Sequence, residues 1–252
     1  MISRPKKSLG QHFLTDSNII RKIIGHISPK ETDVILEIGP GRGALTQSLL
    51  DSGCSLTSLE LDTDLANEWK AKEVAYPQFR CVEGNAISLD WTPYLPCDKV
   101  VGNIPYNISR SLMYKLFSHR RNINEAILMV QKEFAEKLLA TPGSKSYGIL
   151  SVLTRCYSDI TYLFTIPPTV FNPPPRVVSA CIHIRFKSLD INDQLLIDCI
   201  QSAFQQRRKT LQNSLKKYYS PDLKDVFDWS QRADSIEAAD YLKLLRLLEP
   251  DK

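Results

Sequence analysis

Residues 103–106, Asn-Ile-Pro-Tyr, place an amide, a proline and an aromatic ring directly after an apolar run. The preceding residues 100–102 have the continuous apolar character of a strand inside a parallel sheet, where both faces are covered. In open α/β sheets, ligands bind outside the carboxyl ends of the strands. The four residues are therefore predicted to lie at the ligand-binding edge of a sheet.

A glycine-rich turn ends the first predicted strand. Residues 37–43 read Glu-Ile-Gly-Pro-Gly-Arg-Gly and are followed at once by a helix. Glycine permits a sharp turn and lets the backbone approach a ligand closely. The third glycine comes one residue early for the dinucleotide pattern G-x-G-x-x-G, and no Gly-Lys-Ser/Thr follows to form a P-loop. The expected ligand therefore has no pyrophosphate.

Two more polar side chains follow the next strands. Glu60 ends the second predicted strand at the spacing, roughly 20 residues, where an acid accepts both ribose hydroxyls. Asn85 follows the third strand and can hydrogen-bond an adenine edge. Together these positions predict a site for a nucleoside without a pyrophosphate, and S-adenosylmethionine is such a molecule.

The elements that must position these residues alternate between strand and helix, an order that predicts a doubly wound α/β sheet. Strands are predicted at 34–38, 56–61, 79–82, 100–101, 126–130, 162–166 and 180–186. Helices are predicted at 45–50, 65–72, 111–117 and 149–157.

The pattern changes towards the end of the chain. Residues 167–175 are too rich in proline for a helix or a strand and predict an extended, stiff loop. After about Lys187 only helical periodicity remains, at 195–204, 210–215 and 238–248. We therefore expect an α/β domain at residues 1–186 and a small all-helical domain at residues 187–252.

Positive charge is distributed unevenly in a chain of 252 residues with a net charge of +4. Residues 1–30 hold six Lys or Arg residues against one acid, and residues 207–217 hold a second cluster without an acid. Clustered cations are typical of proteins with a polyphosphate partner. A solvated helix face would explain the charge alone equally well.

Other classes of protein are disfavoured by composition. The six cysteines are scattered singly, with no C-x-x-C pair and no neighbouring His, so neither a zinc site nor a disulfide framework is expected. No metal is predicted. The longest apolar runs, such as residues 126–130, are far too short to cross a membrane, and the basic N-terminus does not resemble a signal peptide. We expect a cytoplasmic protein without membrane association.

Residues 103–106 resemble the (D/N/S)-(I/P/L)-P-(Y/F) signature of methyltransferases that act on exocyclic amines. Nearly end to end, the chain resembles the ribosomal RNA adenine dimethyltransferases: Lys-Ser-Leu-Gly-Gln-His-Phe-Leu at 7–14, Phe-x-Pro-x-Pro-x-Val-x-Ser at 171–179 and Ala-Phe-Gln-Gln-Arg-Arg-Lys-Thr-Leu at 203–211. Within this family it is similar to the bacterial enzymes that dimethylate two adjacent adenines in a hairpin near the 3′ end of 16S rRNA. The Arg-Arg-Lys-Thr-Leu segment favours that group over the antibiotic-resistance relatives.

This resemblance implies a Rossmann-like class I methyltransferase sheet at residues 1–186, dependent on S-adenosylmethionine, and an RNA- or ribosome-binding role for residues 187–252. The cofactor contacts that it implies are His12, Leu14, Gly39, Gly41, Glu60, Asn85 and Asn103. His12 stands where Asn is also frequent, and Asn85 replaces a usual Asp. An amide can still accept from the adenine amino group through its carbonyl oxygen.

The catalytic residues expected from the resemblance are Asn103, Ile104, Tyr106 and Phe171. The Asn103 side-chain oxygen and the Ile104 carbonyl would accept the two N6 hydrogens, and Tyr106 and Phe171 would stack on the two faces of the extruded base. The expected partner is 16S rRNA within an immature small ribosomal subunit, bound by a monomer. Its phosphates would be contacted by Arg4, Lys6, Lys7, Arg207, Arg208 and Lys209.

Three other functions share some of these features. A 23S rRNA adenine methyltransferase conferring resistance would use the same catalytic residues on another loop. A nucleic-acid-binding protein with a vestigial cofactor site would have the same fold, but the retained glycine turn, Glu60 and residues 103–106 count against it. A small-molecule or DNA amine methyltransferase would leave the two basic segments and the helical domain unexplained.

Overall fold

The computed structural model describes residues 5–6 and 9–249. By their internal contacts, the described residues up to 135 form one compact unit with 161–186, and residues 136–160 form a second unit with those from 187 onwards. The division differs from the predicted boundary at residue 186 in one segment, 136–160. The reason is that the helix within this segment packs against two helices of the C-terminal part.

The strands, in chain order, are β1 (Phe13–Leu14), β2 (Val34–Ile38), β3 (Ser55–Glu60), β4 (Phe79–Glu83), β5 (Cys97–Asn103), β6 (Ile123–Gln131), β7 (Ser158–Ile166), β8 (Phe171–Asn172) and β9 (Ser179–Phe186). The helices are α1 (Ser17–Ile27), α2 (Thr46–Asp51), α3 (Thr63–Lys70), α4 (Ser109–His119), α5 (Lys132–Leu139), α6 (Ile149–Tyr157), α7 (Asp193–Gln205), α8 (Leu211–Ser214) and α9 (Ala238–Leu248).

A seven-stranded sheet in the order β4-β3-β2-β5-β6-β9-β7 forms the centre of the first unit. The pairs β2–β3, β2–β5, β3–β4 and β5–β6 are parallel, whereas β9 runs antiparallel to β6. Because parallel strands end at the same edge, the residues that follow β2, β3, β4 and β5 meet there. The predicted doubly wound α/β class is confirmed.

The interior strands are built from apolar residues without alternation, as expected for strands covered on both faces. In β5, Val100 and Val101 are fully buried, and residues 126–130 of β6 are buried throughout. One close approach requires glycine: a Cβ on Gly102 would lie 2.5 Å from the Ile38 carbonyl oxygen of β2. The end of β5 can therefore lie against β2 only because residue 102 has no side chain.

The proline-rich segment contains more regular structure than predicted. Residues 171–172 form β8, which pairs antiparallel with β1 in the register Phe13↔Asn172 and Leu14↔Phe171. A 3-10 turn at Pro168–Val170 precedes it. Two residues are too few to give a strand pattern, so the expectation of a loop throughout 167–175 was wrong at β8.

Helix α1 is an element that the sequence reading did not include. The Asp16 side chain accepts hydrogen bonds from the backbone N–H groups of Asn18 and Ile19 and caps its N-terminus. Ile23 and Ile27, one turn apart on this helix, are its buried residues. Predicted helices 149–157 and 238–248 coincide with α6 and α9, and the helix predicted at 65–72 begins two residues earlier as α3, after the cap Asp62.

The second unit contains α6, α7, α8 and α9, which pack on one another. Two buried tyrosines form hydrogen bonds with the loop that precedes α9. The Tyr147 hydroxyl donates to the Ile236 carbonyl, and the Tyr241 hydroxyl donates to the Ala233 carbonyl. All six cysteines are buried free thiols. None of the described helices is long and apolar enough to cross a membrane, and the described residues contain no His, Cys, Asp and Glu group able to hold a metal.

Candidate active site

A cavity of about 200 Å³ lies at the carboxyl edge of the sheet. Its walls come from the ends of β2, β3 and β5, the loop after β4, and the segment before β1. Its lining includes these predicted residues: His12, Gly39, Gly41, Glu60, Asn85, Asn103, Ile104 and Tyr106. Leu14 lines a second cavity of about 40 Å³ that shares Gly39, Gly41 and Asn103 with the first. The segment before β1 and the ends of the sheet strands, which are far apart in sequence, therefore meet at one edge of the sheet.

The glycine turn after β2 depends on left-handed backbone. Gly39, Gly41 and Gly43 have φ of 72°, 54° and 86°, in the region that favours glycine. A Cβ on Gly43 would lie 2.5 Å from the ring of Trp69, and the Trp69 Nε1–H donates to the Gly41 carbonyl at 2.8 Å. Trp69, on α3, thus holds the turn in place, and the sequence reading did not identify it.

Glu60, at the end of β3, is bound to the same turn. Its carboxylate accepts the backbone N–H of Gly41 at 3.0 Å and that of Asp62 at 2.9 Å. Burial raises the pKa of Glu60, while the backbone N–H groups act in the opposite direction. Each carboxylate oxygen keeps a lone pair for a further donor, which the predicted contact with ribose hydroxyls requires.

Asp62 forms a second buried carboxylate two residues later. It accepts from Lys6 Nζ at 2.6 Å and from Gln11 Nε2 at 2.8 Å, and Lys6 also pairs with Asp64 at 2.7 Å. Burial opposes ionisation of Asp62, but these bonds outweigh it and keep the pKa of Asp62 below its ordinary value. Lys6, predicted to contact RNA phosphate, is therefore engaged in an ion pair within the chain. Arg4 and Lys7, predicted with it, lie outside the described residues.

Asn85 lies exposed on the rim of the cavity. Its Oδ1 accepts the backbone N–H of Ile87 at 2.9 Å, which closes a short turn after β4. The carbonyl oxygen retains a lone pair for an external amino group. The position predicted for adenine recognition is thus at the cavity, with one of its acceptor sites already used.

Glu37 lies within β2 and is almost fully buried. Its carboxyl group accepts from Thr46 Oγ1, at 2.9 and 3.0 Å, and from Ser58 Oγ at 2.7 Å. Burial raises its pKa to about 7, against the effect of both hydroxyls. Glu37 therefore joins β2 to β3 and α2 beneath the glycine turn.

Asn103 ends β5, and its orientation is fixed by one hydrogen bond. The Nδ2 amide donates to the His12 carbonyl at 2.8 Å. The side-chain Oδ1, an acceptor, therefore faces away from that contact. Ile104, the next residue, is buried, and its N–H donates to the Met129 carbonyl at 3.0 Å. Asn103 and Ile104 both line the cavity.

Tyr106 also lines the cavity and is half-buried. Its hydroxyl shares a hydrogen bond of 2.7 Å with Ser179 Oγ, and burial raises its pKa. Phe171, predicted to face it across the target base, is not among the lining residues. It is 4% exposed and packs in the apolar core of the first unit, where β8 pairs with β1.

The predicted cations of the C-terminal part lie in the second unit. Arg207 Nε pairs with Asp234 at 2.9 Å, and its guanidinium also donates to the Ser144 carbonyl at 3.4 Å. Arg208 and Lys209 are exposed. Arg207 is thus part of the internal structure of this unit, whereas its two neighbours face solvent.

Two relatives match nearly the whole length of this chain in sequence. The Ribosomal RNA small subunit methyltransferase A of Chlorobium phaeobacteroides is 42% identical over 249 residues, which cover 97% of this chain and 94% of that protein. The protein of the same name from Legionella pneumophila is 39% identical over 252 residues, covering 97% and 98%.

Two solved structures are similar as well. A dimethyladenosine transferase from Plasmodium falciparum superimposes with a TM-score of 0.84 at 29% identity, covering 95% of this chain and 98% of its own. The 23S rRNA methyltransferase ErmE gives a TM-score of 0.72 at 23% identity, covering 94% and 99%, a likeness that shows the fold alone. The family model described as Ribosomal RNA adenine dimethylase matches residues 2–249. This chain therefore belongs to the ribosomal RNA adenine dimethylase family, S-adenosylmethionine-dependent enzymes with a class I methyltransferase fold.

Proposed function

We propose that this enzyme dimethylates N6 of two adjacent adenines in a hairpin near the 3′ end of 16S rRNA. The names of the relatives from Chlorobium and Legionella, at 42% and 39% identity, support the small subunit as the target. The Arg-Arg-Lys-Thr-Leu sequence at residues 207–211 supports the same choice within the family.

The residues around the glycine turn fit the cofactor. A Cβ built on Gly39 would meet nothing within 4 Å, so open space lies directly in front of the backbone there. Glu60 adds a carboxylate for ribose hydroxyls and Asn85 an amide for an adenine edge, both on the cavity wall. S-adenosylmethionine, when bound, supplies a methyl group activated by its sulfonium.

The Asn103–His12 hydrogen bond is the observation that carries the proposed chemistry. It uses the donor end of the Asn103 amide and leaves Oδ1 as an acceptor at the cavity. An adenine N6 is a poor nucleophile because its lone pair is delocalised into the ring. We propose that Asn103 Oδ1 and the Ile104 carbonyl accept the two hydrogens of the unmethylated amine, and that one of them accepts the single hydrogen left before the second transfer. These contacts favour tetrahedral geometry at nitrogen and stabilise the positive charge that develops there, which is lost when the nitrogen releases a proton to water after each transfer.

Tyr106 is proposed to stack on the extruded base. Its ring is already fixed through the hydroxyl contact with Ser179. Base stacking on an aromatic ring contributes about 1–3 kcal/mol, enough to offset much of the cost of unstacking an adenine. Phe171, buried in the core, supports the β1–β8 pair in this scheme.

The RNA contacts proposed outside the cavity involve Lys6 of the first unit and Arg207, Arg208 and Lys209 of the second unit. Arg208 and Lys209 face solvent and can bind phosphate directly, whereas Arg207 and Lys6 would first have to exchange their carboxylate partners. Phosphate contacts of this kind position an RNA without reading its sequence. We propose that the enzyme acts in the cytoplasm, as a monomer, on an immature small subunit.

The test is transfer of labelled methyl from S-adenosylmethionine to 30S particles that lack the modification and, in parallel, to 23S rRNA. Nucleosides are then separated after digestion. Dimethyladenosine from the 30S sample alone is the expected result. Label in 23S rRNA would instead assign a resistance-type activity, and no label in either sample would leave a binding protein with a silent cavity.

A further inference from the structure

His12 contacts the rest of the site through both its backbone and its ring. The His12 carbonyl accepts from Asn103 Nδ2, whereas the imidazole Nδ1 lies 2.7 Å from the carbonyl oxygen of Pro173. A carbonyl can only accept, so Nδ1 carries the hydrogen and donates it. Phe13, which follows His12, pairs with Asn172, which precedes Pro173, and this antiparallel pair holds the two backbones beside one another.

The same imidazole lies against Tyr106. The two ring centroids are 6.1 Å apart, and the planes meet at 24°. These values fall within the range of offset aromatic pairs. Tyr106 is therefore held at its hydroxyl by Ser179 and at its ring by His12, and these residues come from three separate segments of the chain.

His12 lines the cavity together with Gly39, Gly41 and Glu60, but both contacts of its side chain, to Pro173 and Tyr106, are on the target side. We infer that the His12 imidazole is a positioning residue for the target base, fixing the Tyr106 ring between Ser179 and the Pro173 carbonyl, rather than a cofactor ligand. The inference rests on the proposed function, since it assigns a role on the base-binding side of that site. The cofactor contact that the resemblance implies for residue 12 would then be made by its backbone.

The kinetic consequence follows from where the RNA is held. Phosphate contacts determine binding of the subunit, whereas the Tyr106 ring stabilises only the extruded base. Freeing the ring therefore lowers the fraction of bound adenine in the reactive position. The kcat falls, while KM for the subunit and the affinity for cofactor stay near their wild-type values.

The experiment compares His12→Ala and His12→Phe with the wild type on 30S particles that lack the modification. S-adenosylhomocysteine serves as the probe of cofactor affinity by calorimetry. For His12→Ala we expect kcat to fall about three- to ten-fold, the effect that the loss of one aromatic pair supports. KM and the Kd for S-adenosylhomocysteine should change by less than about two-fold, because the imidazole contacts Pro173 and Tyr106 on the target side. His12→Phe keeps a ring against Tyr106 and should recover part of the loss.

Ser179→Ala is the second variant, since it frees the same tyrosine from the other side without touching His12. It should show the same pattern of reduced kcat and unchanged KM. A weaker affinity of His12→Ala for S-adenosylhomocysteine in proportion to its lost activity would assign the imidazole to the cofactor and overturn the inference. Wild-type kcat in His12→Ala, or His12→Phe no better than His12→Ala, would also overturn it. Absence of transfer by the wild type would instead reject the proposed function on which it rests.

Discussion

The cofactor side of the cavity and its target side are assembled over very different distances in sequence. On the cofactor side, Glu60 binds Gly41 and Asp62, which lie 19 and 2 residues away. On the target side, Asn103 binds His12 across 91 residues, Tyr106 binds Ser179 across 73 and His12 binds Pro173 across 161. The cofactor side is thus fixed once neighbouring strands pair and α3 packs against the glycine turn, whereas the target side also requires the segment before β1 and the loop after β8.

Two carboxylates on the cofactor side are also more deeply buried than the side chains of Asn103, His12 and Tyr106 on the target side. Glu37 and Glu60 are nearly inaccessible and are satisfied by hydroxyls and backbone N–H groups of the sheet. Tyr106 is half-buried and Asn103 and His12 are partly exposed. A rigid pocket for the cofactor beside a more accessible surface for the base suits an enzyme that must admit a large RNA. Substitutions on the two sides should therefore have separable effects, except at Asn103, which lines both cavities.

Asn103→Ala should have the largest effect on activity, because it removes an acceptor for the amine and the bond that holds His12. We expect kcat to fall by about 100- to 1,000-fold, as when one preorganised polar group is lost from an active site. Cofactor affinity should fall too, since Asn103 lines both cavities. Single-turnover methyl transfer and S-adenosylhomocysteine calorimetry measure the two effects. Asn67→Ala, on the exposed face of α3, is the matched control, and equal rates for both variants would contradict the assignment.

Glu37 should make stability depend on pH. Because burial raises its pKa to about 7, the folded protein binds this proton more tightly than the unfolded chain. Protonated Glu37 therefore makes its full contribution to the free energy of unfolding below the ordinary carboxyl pKa. As pH rises towards about 7 this contribution is lost, and the free energy of unfolding falls by up to about 3 kcal/mol. Urea unfolding from pH 5 to 8 should show this loss in the wild type and a flatter profile in Glu37→Gln. Glu68→Gln, at an exposed position, should retain the wild-type slope.

Gly43→Ala should damage the cofactor side by strain. The added Cβ would meet the Trp69 ring at 2.5 Å, with φ at 86°. We expect about 2–3 kcal/mol of destabilisation and weaker binding of S-adenosylhomocysteine. Gly25→Ala provides the opposite control, because it lies in the interior of α1 with nothing within 4 Å of the new Cβ, and should stabilise by about 0.5–1 kcal/mol. Equal unfolding midpoints for the two variants would show that the turn can relax.

The same contrast explains what could be read from the sequence. The glycine turn, Glu60 and Asn85 are short patterns at strand ends, so their meeting at one sheet edge follows from strand order alone. Trp69 could not be found in this way, because only the packing of α3 brings its ring to Gly43. The place of residues 136–160 in the second unit likewise depends on which helices α6 packs against, and periodicity does not specify a partner.

Pairings across long distances also determine contacts on the target side that the sequence does not show. The resemblance at residues 171–179 predicts that Phe171 stacks on the target base, whereas the pairing of β8 with β1 buries its ring. Ser179 belongs to the same motif, and its contact with Tyr106 was not anticipated. Lys6 was interpreted by charge as an RNA contact because nothing near it in sequence shows that Asp62 and Asp64 lie beside it.

Tyr106→Ala tests most directly whether the two sides are separable. Removing the ring takes away about 1–3 kcal/mol of base stacking, so methyl transfer to unmodified 30S particles should slow by about 5- to 150-fold. Glu60 and the glycine turn keep their partners, so the Kd for S-adenosylhomocysteine should stay near that of the wild type. Tyr106→Phe keeps the ring but loses the Ser179 bond and should lie between the two. If cofactor affinity falls as far as turnover in Tyr106→Ala, the cavity works as one unit, and a shared pocket must replace the two-sided description.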